Sequence, residues 1–137
     1  MDRTTSLANS VRLACQLVSR RVRFDVEATL PPHQMAVLWH LTFGPATPGA
    51  LAEVERVSAP SMTRTLDCLE EAGCISREQD PDDGRRRIVA ITDQGRAELS
   101  RTASARDSWM EARLRELPEA DRATLARAVE LLHEVIR

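Results

Sequence analysis

Two clusters of side chains in this 137-residue chain could do chemistry on a polyanion. The first is Ser58, Pro60, Ser61, Thr63 and Arg64. Hydroxyls suit phosphate oxygens or base edges, and one guanidinium can donate two hydrogen bonds to guanine O6 and N7. The second is Asp83 beside Arg85, Arg86 and Arg87. Such a tip can reach a phosphate backbone, or a narrow minor groove whose deeper negative potential attracts arginine. Asp83 is expected to hold Arg85 by an ion pair. Both clusters lie in Ala50–Thr92, where 6 arginines face 9 acidic residues. Binding through this stretch therefore has to depend on where a few side chains are aimed.

The aiming elements follow from periodicity and punctuation. Thr47-Pro48 supplies an N-cap and a first-turn proline for a short helix over Pro48–Glu55. Arg56-Val57 is a turn. Ser58 caps a second helix over Ala59–Ala72, with Met62, Leu66 and Leu69 at i, i+4, i+7 facing a core. Gly73 stands at the C′ position, where a left-handed backbone costs least without a Cβ. Ile75–Gln79 and Arg87–Ile91 read as strands joined through Asp-Pro and Asp-Gly turn signals. Helix, turn, helix and basic hairpin together form a DNA-reading unit. The acids Asp67, Glu70 and Glu71 would repel phosphate, and they fall beyond the first turns of the second helix.

The flanks are helical. Leu7, Val11, Ala14, Val18 and Val22 recur every three or four residues over 5–27, and Leu13 and Leu17 widen the stripe. Leu30-Pro31-Pro32 ends that segment. A helix over His33–Phe43 follows, its inward stripe Gln34/Met35, Leu38 and Leu41/Thr42. Thr92 caps a long helix over Asp93–Glu116, Leu117-Pro118-Glu119 interrupts it, and a last helix covers Glu119–Ile136. The fold class is thus mainly α with a small β-hairpin.

In Ser58 followed by Ser61-Met62-Thr63-Arg64, Leu69-Glu70-Glu71-Ala72-Gly73, Asp80-Pro81-Asp82-Asp83-Gly84-Arg85, and Ile91-Thr92 leading to Gly95, the chain resembles the MarR (multiple-antibiotic-resistance regulator) family. The resemblance runs over nearly its whole length. It implies a winged helix–turn–helix with N- and C-terminal dimerisation helices. The chain would be a single domain over 1–137, with residues 30–92 the DNA-binding part and 1–29 and 93–137 the dimerisation part. It implies an obligate homodimer on a pseudo-palindromic site in double-stranded DNA. It also implies a repressor released by a small phenolic or other anionic effector. Ser58–Arg64 would read the major groove, and Arg85, positioned by Asp83, would enter the minor groove. Residue physics agrees with the dimer, because apolar stripes at both ends would be a liability in a monomer. Two-fold symmetry would set the recognition helices roughly 34 Å apart.

Other readings weigh less. Net charge is −2, which counts against binding nucleic acid by bulk charge. All 19 basic residues are arginine; phosphate recognition favours that choice, and a coding bias explains it as well. Cys15 raises a cysteine-based redox sensor, against which stands the lack of any tyrosine beside it. Cys68 is expected half-buried, and Cys74 packed beneath the hairpin. His33, His40, Cys68, Cys74 and His133 offer no tight ligand pair, so no metal or other cofactor is expected. No phosphate loop, nucleophile elbow or His-Glu-x-x-His suggests an enzyme. An interaction module that kept the fold without specific DNA binding is the alternative. Arg20, Trp39, His40 and the surroundings of Trp109 could line an effector pocket, or be surface charge and core. No secretory signal or membrane span is expected, which points to the cytoplasm.

Overall fold

The structure, a computed structural model, describes residues 2–137. Six helices and two strands follow one another: α1 (Arg3–Asp25), α2 (Pro32–Leu41), α3 (Pro48–Glu55), α4 (Ala59–Glu71), β1 (Ile75–Gln79), β2 (Arg87–Ile91), α5 (Asp93–Arg115) and α6 (Glu119–Val135). They form two compact units. One is Glu27–Ala103; the other joins the residues up to Val26 with Ser104–Arg137. No helix among the described residues is long and apolar enough to cross a membrane.

Glu27–Ala103 holds the core. Val37, Leu38 and Leu41 from α2 meet Leu51 and Ala52 from α3, and Met62, Leu66 and Leu69 from α4. Cys74, Ile75 and Val89 close it from the sheet side. Each large aliphatic buried this way contributes roughly 1.5–3 kcal/mol relative to exposure. The inward face of α2 is turned from the expected stripe: Val37 is buried, whereas Met35 is only half-buried and Thr42 exposed. That helix also stops at Leu41, before the expected Phe43. Thr42, Phe43 and Gly44 N–H groups reach back three residues instead of four, to Trp39, His40 and Leu41, which tightens the end into a turn.

The exit from α4 is a Schellman closure. Cys74 N–H donates to Leu69 O and Gly73 N–H to Glu70 O, both at 2.9 Å, with Gly73 at φ +77°. The strands pair antiparallel with Ile75 opposite Ile91, Arg77 opposite Val89 and Gln79 opposite Arg87. A third strand is present only as a bridge that the sequence does not announce: Ala46 and Val89 exchange both backbone hydrogen bonds, at 3.0 and 2.8 Å. Pro45 and Pro48 on either side lack the N–H groups needed to lengthen it.

Thr92 and Gly95 join the hairpin to α5. Thr92 Oγ1 donates to Gly73 O (2.6 Å) and accepts from Gly95 N–H (3.1 Å), and Gln94 Nε2 donates to Ala72 O (2.9 Å). The first turn of α5 therefore rests on the end of α4. A Cβ on Gly95 would lie 2.3 Å from Cys74 O, so only glycine permits this approach.

The other unit has no such interior. Neither α1 nor α6 buries a residue. Leu7, Leu17, Val18 and Phe24 on α1, and Leu125, Val129, Leu131, Val135 and Ile136 at the C-terminal end, are exposed. Its polar fastening is centred on Asp25, whose carboxylate accepts from Arg21 Nε (2.9 Å), Trp109 Nε1 (3.1 Å) and Arg113 Nη2 (3.4 Å). The Arg113 guanidinium stacks 3.5 Å from the Trp109 ring centre. The Arg21 hydrogen bond, aided by Trp109 and the two cations, holds the Asp25 carboxyl below its ordinary pKa.

Candidate nucleic-acid interface

Ser58 sits in extended backbone just before α4, and its Oγ accepts the Ser61 N–H at 3.2 Å. Pro60 has no N–H to offer, and Met62 N–H is taken by Ser58 O at 3.0 Å. Ala59 thus carries the one partnerless amide of that turn. A phosphate arriving here would depend on side chains more than on a fan of backbone donors. Those side chains are available. Thr63 and Arg64 are exposed and Ser61 is half-exposed. Thr63 Oγ1 donates to Ala59 O (3.0 Å), leaving its lone pairs outward. Thr65, by contrast, is buried and returns its hydroxyl to Ser61 O at 3.2 Å, so the inward face of α4 includes it beside the three expected apolar residues. The turn before α4 is held by Arg56 at φ +54°, a left-handed position more usual for glycine.

The hairpin tip is built by its own acids. Asp80 Oδ1 accepts from Asp82 N–H (2.9 Å), and Asp80 N–H donates to Arg86 O (2.8 Å). Gln79 Nε2 donates to Gly84 O at 2.8 Å. Asp83 does not pair with the Arg85 guanidinium as expected. Its Oδ1 accepts the backbone N–H of Arg85 at 3.0 Å, an Asx turn that shapes the main chain and leaves the side chain loose. The ion pair at the tip joins Arg86 to Asp80 instead, at a long 3.9 Å. Among the described residues no carboxylate lies within ion-pair distance of Arg64, Arg85 or Arg87. Residues 81–87 are all exposed. Behind the tip, Pro48, Glu70, Arg77 and Arg87 line an open groove of about 310 Å³.

Arg77 is the feature the sequence reading passed over. Its Nη2 donates to Asp67 at 2.5 Å and its Nε to Glu70 at 3.0 Å, tying β1 to α4. Hydrogen bonding to Glu70 and then Asp67 raises its pKa above the usual guanidinium value.

A sequence model of the MarR family matches residues 30–86. An uncharacterised helix–turn–helix-type transcriptional regulator of Mycobacterium leprae is 37% identical over 139 residues, covering 99% of this chain and 96% of that protein. This chain belongs to the MarR family. Solved structures agree. A transcriptional regulator of Pseudomonas aeruginosa superposes with a TM-score of 0.83 at 31% identity, over 100% of this chain and 98% of that one. A mutant of MarR from E. coli gives 0.73 at 25%, over 96% of each. As a MarR-family winged helix–turn–helix transcriptional regulator, the protein is not an enzyme.

The remaining candidate residues of this MarR-family chain are placed as follows. Trp39 is exposed and packs edge-on against Phe43, ring centres 5.0 Å apart. His40 is half-buried and Arg20 exposed. Cys68 is exposed, not half-buried: it follows Arg64 by four positions and shares its outer face. Cys15 is also exposed. Cys74 is buried, and that burial pushes its thiol pKa up, away from the reactive thiolate. Among the described residues no three His, Cys or acidic side chains gather as a metal site.

Proposed function

We propose that this MarR-family regulator is a homodimeric repressor that reads a pseudo-palindromic operator and is released by a small aromatic or anionic effector. Ser58, Pro60, Ser61, Thr63 and Arg64 face the major groove. Asp83 shapes the turn that carries Arg85, Arg86 and Arg87 to the backbone and minor groove. The observation that carries this reading is the division of charge. Among the described residues Arg64, Arg85 and Arg87 have no acid partner, whereas Asp67 and Glu70 are bound to Arg77, and Asp80 and Asp83 are spent inside the hairpin turn. With a net charge of −2, the protein has no general attraction for DNA, so binding has to rest on a few cations at the start of α4 and at the hairpin tip. The dimer is supported by α1 and α6, which expose apolar side chains and have no interior of their own. The effector is proposed on the family resemblance.

Fluorescence anisotropy with the DNA upstream of the chain's own coding sequence, against a random duplex, tests the reading. Specific binding is expected to be at least ~10³-fold tighter, and both affinities should fall steeply with salt. Equal affinity for the two duplexes would favour an interaction module. Sedimentation at low micromolar concentration is expected to show a dimer; a stable monomer would contradict the role given to both terminal helices.

A further inference from the structure

β1 turns Ile75, Arg77 and Gln79 to one face. On that face Ile75 is 3% exposed, and Val89, opposite Arg77, is wholly buried. Arg77 thus stands at a core-facing strand position. Its side chain is 18% exposed, and its head is held by Asp67 and Glu70. The contact is a chelate: Nη2 to Asp67 at 2.5 Å, Nε to Glu70 at 3.0 Å, and Nη2 to the second Glu70 oxygen at 3.4 Å. Asp67 follows Arg64 by three positions and Thr63 by four, so it belongs to the same face as the side chains offered to DNA. Without Arg77, α4 would present one arginine against three carboxylates, Asp67, Glu70 and Glu71.

We propose that Arg77 is a positioning residue for DNA recognition: it masks Asp67 and Glu70 so that the outer face of α4 can approach phosphate. It touches no DNA and acts through the two carboxylates. The proposal rests on the DNA-reading role given above to α4.

Replacement of Arg77 by Met tests this. Arg77→Met is expected to weaken binding to both operator and random duplex at least tenfold at low salt. The gap should narrow as salt rises, because the bared carboxylates repel phosphate through screened Coulomb forces. Adding Asp67→Asn and Glu70→Gln to Arg77→Met should return affinity to within about threefold of the original, although the bridge is still missing. A purely structural strut would not be rescued in that way. Wild-type affinity in Arg77→Met would overturn the proposal, as would failure of the triple variant to recover while its circular dichroism stays native. Should Arg77→Met not fold, Asp67→Asn/Glu70→Gln with Arg77 intact decides. Two carboxylates fewer leave the α4 face more positive, so random DNA should bind at least threefold tighter at low salt, the gain fading as salt rises; no gain would show that these acids do not act on DNA and would overturn the proposal. If the unmodified protein shows no salt-dependent DNA binding, the reading of α4 falls first and this proposal with it.

Discussion

Arg64→Ala is expected to cut operator affinity by about 1–3 kcal/mol for each half-site, while random DNA loses far less. Arg64 stands on the second turn of α4, exposed and, among the described residues, without an acid partner. Its neighbours are already committed: Ser58 to the cap, Thr63 to Ala59 O, Thr65 to Ser61 O. That leaves Arg64 as the strongest donor on this face for a guanine edge. Folding should be unchanged within about 0.5 kcal/mol, because the side chain supports nothing else. Anisotropy titrations on the two duplexes check the result. An equal loss on both would make Arg64 a phosphate contact, and no loss would remove it from the interface.

Gly95→Ala is the largest expected effect on stability, about 2–3 kcal/mol, or roughly 6–12 °C in Tm at fixed protein concentration. Two forces oppose each other here. Alanine favours a helix over glycine by about 1 kcal/mol, which alone would stabilise α5. The new Cβ, however, would meet Cys74 O at 2.3 Å and Ile91 Cγ1 at 2.8 Å, and neither is a flexible side-chain end. Relief would have to lift α5 from the α4 exit, disturbing the bonds Thr92 and Gln94 make to Gly73 and Ala72. The clash outweighs the propensity. Thermal unfolding of the variant decides, and a raised Tm would show that the contact yields at little cost.

Much of this was legible beforehand because it is local. Ser58 three residues before Ser61, proline at the second helical position and Gly73 after α4 specify caps and ends through the chain's own neighbours. The Asp-Pro and Asp-Gly turn signals between two short runs specified the hairpin. What escaped depends on residues far apart in sequence or on a choice between equals. Asp83 could bind the guanidinium of Arg85 or its main-chain N–H, and the two-residue reach of an Asx turn favours the latter. Ala46 pairs with Val89 across 43 positions, with no strand pattern of its own. Arg56 takes a left-handed turn without the glycine that would signal it. The Arg77 bridge did leave a trace: the alternation that buries Ile75 also turns Arg77 inward, and Asp67 and Glu70 are one helical turn apart on α4. Counting charges along Ala50–Thr92 records six arginines and nine acids, but not that one arginine is bound by two of the acids.

The central claim is that DNA meets this regulator at the first turns of α4 and at the hairpin tip. Backbone amide NMR of the protein, titrated with operator duplex, tests it most directly. Shifts concentrated at 58–64 and 83–87, weaker for random DNA and fading as salt rises, are the predicted result. Shifts that spare both segments while the duplex is bound would contradict it.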